Sequence, residues 1–258
     1  LDAHALAHSR GPASRFADVR VLDDTNQQIP YLLERRNEPL SVELSVVQAP
    51  DSRAQALTMP PGSRQRSVYL VTLPYANLPA SSLVIETSGR VFQRTVRIGV
   101  ERPPDRVRRD AYFEIRAAET WRHAEEQTPA RPLTLPLGTM EETELVLVVD
   151  EGDNAPLPLT TARLLLPSYR LRFFHAGGTP LRMVYGRDDL QPPQYDLALL
   201  APRVMGARAR EVEAAPASSA GSQSGDSFAS PTIFWVVLTG AVLVLLGLIV
   251  RLVRGQGD

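Results

Sequence analysis

Cysteine is absent from the 258 residues, so no disulfide framework, thiolate metal site or cysteine nucleophile is available and the fold must rest on packing. Lysine is absent too: all 28 basic residues are arginine, a bias that points to no function. A net charge of -1 gives no general pull towards polyanions, so no nucleic-acid partner is expected. Long amphipathic helical patterns are missing. So are a Gly-x-Ser-x-Gly elbow, a Walker-type phosphate loop and a GxGxxG turn; Gly221-Ser222-Gln223-Ser224-Gly225 has glutamine where a nucleophile would stand. The first residues, LDAHALAHSR, lack the charged-then-apolar pattern of a secretory signal, so a removed signal peptide or a segment cut from a longer protein is expected.

What is present in strength is one apolar run, IFWVVLTGAVLVLLGLIV from Ile233 to Val250, without a charge. At about 1.5 Å per residue, and with a few flanking residues, it matches a roughly 30 Å hydrocarbon core. A buried soluble helix usually carries a polar stripe, and this run has none. Arg251 and Arg254 follow it, whereas the preceding GSQSGDSFASP holds an aspartate and no arginine, so the C-terminus is expected in the cytoplasm. Phe234 and Trp235 suit the outer headgroup level. Gly240 and Gly247 lie close to two turns apart and share a face that a second helix can approach.

Before the run, AREVEAAPASSAGSQSGDSFAS is poor in large apolar side chains and reads as a flexible tether with a typical span of about 25 Å. Further upstream, short apolar segments alternate with turn residues, the pattern of an antiparallel sandwich or barrel. Phe92, Val96, Ile98 and Val100 alternate with Gln93, Thr95, Arg97 and Gly99, as in a strand with one wet face. Further strands are expected at 19–22, 42–46, 68–73, 83–86, 113–117, 145–149, 163–166, 169–174 and 181–185. The 22 prolines are expected in loops and at strand ends. The expected organisation is a β-rich module over 1–75, a β-sandwich over 76–206, a stalk over 207–230, a transmembrane helix over 231–253 and a tail over 254–258.

From about Leu83 to Phe174 the order of elements resembles the discoidin-type, galactose-binding-like jelly roll. The resemblance rests on SLVIETSGRVFQRTVRIGVE, on Trp121 in ETWRHAEE and on LVLVVDEGDNAPLPLTTARLLLP. The segments ADVRVLDDTNQQIPYLLERR and LRMVYGRDDLQPPQYDLALL are similar to uncharacterised bacterial envelope proteins with one C-terminal membrane helix. The resemblance implies an all-β, antiparallel jelly-roll ectodomain anchored by one helix in the inner membrane, facing the periplasm. Such folds serve sugar, lipid and protein binding alike, so no ligand residue is carried over.

Several clusters invite chemistry. Asp150, Asp153 and Asn154, in the run DEGDN, are oxygen donors on a tight loop and candidate calcium ligands, although the EF-hand spacing is missing and an ordinary capped turn explains them as well. No other cofactor is expected. His4 and His8 would share a helix face and can chelate zinc, but the HExxH glutamate is absent and a mobile terminus is expected. His123 and His175 read as surface or strand-end residues. Glu125-Glu126 and Glu141-Glu142 are adjacent acids of the kind usually found as solvated charge. Arg102, Arg106, Arg108 and Arg109 share a proline-containing loop in which Asp105 and Asp110 partly neutralise them.

The expected function is therefore a non-catalytic, membrane-anchored envelope protein that binds a glycan or a protein. An accessory subunit of a membrane assembly and a glycan-active enzyme are the alternatives.

Overall fold

The structure is a computed structural model that describes residues 1–56, 65–104, 106 and 109–215. Leu1–Ala214 forms one compact unit. The chain runs α1 (Ala3–His8), β1 (Arg20–Leu22), β2 (Tyr31–Arg35), β3 (Leu40–Glu43), β4 (Ser45–Gln48), α2 (Asp51–Ala56) and β5 (Gln65–Thr72). It continues β6 (Leu78–Thr87), β7 (Val91–Arg102), β8 (Tyr112–Ala124), β9 (Leu133–Met140), β10 (Glu144–Gly152), β11 (Leu159–Leu166), β12 (Tyr169–Phe173), β13 (Arg182–Val184) and α3 (Ala201–Gly206). The strands make a five-stranded sheet, β4-β5-β10-β7-β8, a four-stranded sheet, β3-β11-β6-β9, and the two-stranded ribbons β1-β13 and β2-β12. Every described pairing is antiparallel. The fold is predominantly β and sandwich-like.

The alternation of β7 sets which face is buried. Phe92, Val96, Ile98 and Val100 point into the main core, where they meet Leu83 and Ile85 of β6, Leu135 and Leu137 of β9 and Leu164 of β11. The apolar run of β10 has a different cause. Leu145, Leu147 and Val149 enter the main core, while Val146 and Val148 join Ala49, Val68 and Phe113 in a second cluster on the sheet's other face. A strand covered on both faces needs no polar register.

All ten expected strands correspond to strands of the fold, but the one expected over 42–46 is two. The chain leaves the four-stranded sheet after Glu43 and enters the five-stranded sheet at Ser45; at the crossing, the Leu44 N–H still donates to the Ala162 carbonyl at 2.9 Å. The boundary expected near Tyr75 falls inside a single packing unit. β5 lies before it and pairs with β10, and β3 pairs with β11, so both sides of Tyr75 build the same sheets.

The N-terminus, expected to be mobile, is an ordered helix. Asp2 accepts a hydrogen bond from the Ala5 N–H at 2.8 Å, and the helix buries Ala5, Leu6 and Ala7. Residues 207–214, expected to belong to the flexible stalk, have no regular structure but touch the body. Glu211 pairs with Arg36 at 3.3 Å and Arg170 at 3.5 Å, and Arg172 donates to the Ala207 carbonyl at 3.1 Å. Among the described residues no helix is long and apolar enough to cross a membrane; the run Ile233–Val250, with Gly240 and Gly247, lies outside them.

Candidate functional site

A cleft of about 640 Å³ opens where β7 ends and β10 begins, lined by Arg53, Glu101, Glu141, Glu142 and Glu144 over a floor of Val100 and Val146. Its volume lies within the roughly 300–1,000 Å³ of small-ligand sites. Local geometry brings these charges together. The β7–β8 register shifts between Ile98 and Gly99, so Arg116 is the extra residue of a bulge. Gly99 permits the approach, since a Cβ there would lie 2.0 Å from the Glu114 carbonyl oxygen. The bulge aims the Arg116 guanidinium at Glu114, 3.7 Å away, and Glu142, 3.5 Å away.

The charges form two connected groups. Arg53 of α2 bridges Glu101 at 2.8 Å and Glu144 at 2.5 Å. Arg102 bridges Glu114 at 2.5 Å and Glu142 at 2.8 Å. The hydrogen bond from Arg102 holds the Glu114 carboxyl below the usual carboxylate range, and the one that Arg53 donates to Glu144 holds Arg53 more firmly protonated. Both Glu142 oxygens are buried: Oε1 lies 2.8 Å from the Arg102 guanidinium and 3.5 Å from that of Arg116, while Oε2 has no hydrogen-bond partner among the described residues. The cleft therefore retains buried acceptor capacity and fixed planar guanidinium groups. Such groups hydrogen-bond to hydroxyls and amides.

The other expected candidates lie elsewhere. Asp150 of β10 faces Arg97 at 3.8 Å, and the Asn154 amide donates to the Glu151 carbonyl at 3.0 Å, closing a turn around Gly152, whose φ is 63°. Among the described residues no group of three or more His, Cys, Asp or Glu gathers as a metal site. His4 and His8 do share a helix face: their rings stack at 4.1 Å, and the His4 Nδ1 lies 2.7 Å from the Tyr185 hydroxyl. His123 and His175 each contact a loop carbonyl, of Thr128 and Thr179. Trp121 is buried against Phe92 and donates to the Arg131 carbonyl at 2.9 Å. Glu125 accepts from the Thr128 hydroxyl. Of the arginine-rich loop, Arg102 ends β7 and pairs with Glu142 of the cleft lining, Arg106 and Arg109 are exposed, and Asp105 and Arg108 lie outside the described residues.

Sequence reasoning missed Arg94 and Glu151. Arg94 occupies the inward register of β7 between Phe92 and Val96, and its Nε donates to the Glu151 Oε2 at 2.7 Å in a buried pair. Glu151 also accepts from the Leu157 N–H at 3.2 Å, so the pair ties the turn after β10 to β7. The signal was there: arginine at an apolar position of an alternating strand.

No protein-family model, curated protein or solved structure matches the chain.

Proposed function

We propose that the chain is a non-catalytic, membrane-anchored envelope protein whose sandwich binds a hydroxyl-rich ligand, an envelope glycan, in the cleft beside Glu142. The observation that carries this reading is the cleft itself: a concave end of the sandwich lined by ion-paired Arg53, with the Glu142 Oε2 beside it lacking a hydrogen-bond partner among the described residues. The strand arrangement is compatible with the jelly-roll, galactose-binding-like architecture, in which loops at one end of the sandwich recognise ligands. The apolar run Ile233–Val250 supports a single membrane pass with the N-terminal bulk in the periplasm and the tail in the cytoplasm.

The test is gentle detergent extraction of the full chain, then capture and analysis of bound glycan and protein. Glycan retained by the wild type and lost with Arg53→Ala or Glu142→Ala supports the reading. A stoichiometric membrane protein that is lost instead with Gly240→Ile and Gly247→Ile identifies an accessory subunit. Release of sugar from envelope material by the purified chain overturns the non-catalytic reading.

A further inference from the structure

A second surface lies where the described chain ends. Phe174 at the end of β12, Leu199 and Leu200 in the 3-10 turn Asp196–Leu200, Met205 of α3 and Val212 are all exposed. Leu199 is 83% exposed and Phe174 63%, and it is their grouping at the end of the described chain that is informative. Phe174 and Leu200 also line one groove of about 510 Å³ together with Tyr195 and Leu197. In the same stretch of sequence Arg203, Arg208 and Arg210 are exposed and without an ion-pair partner among the described residues, as are the acids Asp196, which lines the groove, and Glu213. The nearby Glu211 is already engaged by Arg36 and Arg170.

Exposed apolar side chains accompanied by exposed arginines suit an interfacial surface, with the apolar groups entering the headgroup boundary and the cations meeting anionic headgroups. Chain length favours this occupant. Residues 215–232 join the compact unit to the apolar run, and 18 residues of chain reach at most about 3.3–3.6 Å each, so a surface at the end of the compact unit stays within reach of the bilayer.

We infer that the Phe174, Leu199, Leu200 and Met205 surface docks on the outer leaflet of the bilayer that anchors the chain. This inference rests on the anchored reading of Ile233–Val250. Docking would hold the sandwich against the lipid and restrict the directions in which the cleft can face.

The cysteine-free chain permits a direct test. Single variants Leu199→Cys, Glu126→Cys and Val244→Cys of the full chain are labelled with an environment-sensitive fluorophore and reconstituted in phosphatidylethanolamine and phosphatidylglycerol vesicles that carry shallow or deep quenching lipids. Docking gives quenching at Leu199 by shallow quenchers about threefold or more above that at Glu126, an exposed turn position, as expected for burial of about 5–10 Å. Adding Leu200→Glu and Phe174→Ser should abolish the difference. Deep quenching at Val244 with no excess at Leu199 overturns docking and leaves the anchor standing. Absence of quenching at Val244 overturns the anchor reading, and quenching at Leu199 then reports peripheral docking by itself. A blue-shifted Leu199 label that lipid does not quench identifies a protein on this face and overturns the inference.

Discussion

Removing one partner of the Arg94–Glu151 pair should damage the fold far more than removing both. The Arg94 side chain is 8% exposed and that of Glu151 is 0% exposed, so neither charge can turn to water when its partner is lost. Glu151→Gln keeps an acceptor for the Leu157 N–H but leaves the guanidinium without a counter-charge. Arg94→Met leaves the carboxylate alone and also removes the donor to the Ala155 carbonyl. Each single change should cost about 3–5 kcal/mol, the usual loss on breaking a buried pair. The double variant Arg94→Met/Glu151→Leu removes both charges. It leaves the Leu157 N–H and the Ala155 carbonyl short of a partner at about 1–3 kcal/mol each, so its cost should not exceed that of the worse single change. The coupling between the two sites should therefore reach about 3 kcal/mol.

Trp121 is the natural reporter, because it sits directly across from Arg94 in the β7–β8 register and is itself buried. In a Trp235→Phe background it is the only indole, and urea unfolding of the full chain in detergent, followed by its fluorescence, yields the four stabilities of the cycle. Single losses below about 1 kcal/mol, or losses that simply add in the double variant, would show that the pair is not the buried staple described above.

Three further outcomes follow from the same geometry. Leu147→Ala, at a fully buried position of β10, should lose about 3 kcal/mol in urea unfolding, while Val47→Ala, 58% exposed, should stay within about 0.5 kcal/mol. Gly99→Ala places a methyl group against the Glu114 carbonyl and should cost about 1–3 kcal/mol, read as a lowered urea midpoint; an unchanged midpoint would mean that the bulge relaxes freely. Burial pushes the Tyr31 hydroxyl up to about 12, and it donates to the Val19 carbonyl at 2.8 Å. Its folded value is raised, so its contribution is complete below the unfolded value of about 10 and is lost as pH rises through the folded value; the stability gap between wild type and Tyr31→Phe should close over that interval.

Strands were legible where side-chain period alone decided them, as in β7. Two strands were not. β9 contains Pro136 and Gly138 within Leu133–Met140, a composition that reads as a loop; as an edge strand it has a side on which a missing N–H costs nothing, and Gly138 takes a φ of 69° where the register with β6 slips. β2, Tyr31–Arg35, is short and half-exposed, and it is held by β12 through Glu34, which Arg170 and Arg172 both engage. The Arg172 bond keeps the Glu34 carboxyl below its ordinary range, an ion-pair dependence that no local period announces. The crossing at Leu44 was hidden because the alternation of Val42, Leu44 and Val46 runs unbroken through it, so side-chain period alone does not tell that the chain changes sheets there.

The cleft was illegible for a related reason. Its lining charges come from α2, β7, the turn before β10 and the first residue of β10, and Arg116 of β8 reaches Glu142 through the bulge that Gly99 admits. Clusters that were contiguous in sequence proved to be local devices instead: DEGDN closes a turn and buries its glutamate on Arg94, and His4 and His8 stack on their own helix. Asp18, which no motif singled out, is buried and accepts from the Arg10 and Gly186 N–H groups, fastening two distant loops. In a chain without cysteine, buried charges of this kind do the cross-linking that disulfides would otherwise do, and their acceptors are spent on the fold. Glu142, beside an open cleft, differs because its Oε2 has no hydrogen-bond partner among the described residues. That contrast makes Glu142, and none of the more conspicuous acidic clusters, the residue on which a binding function should be tested first.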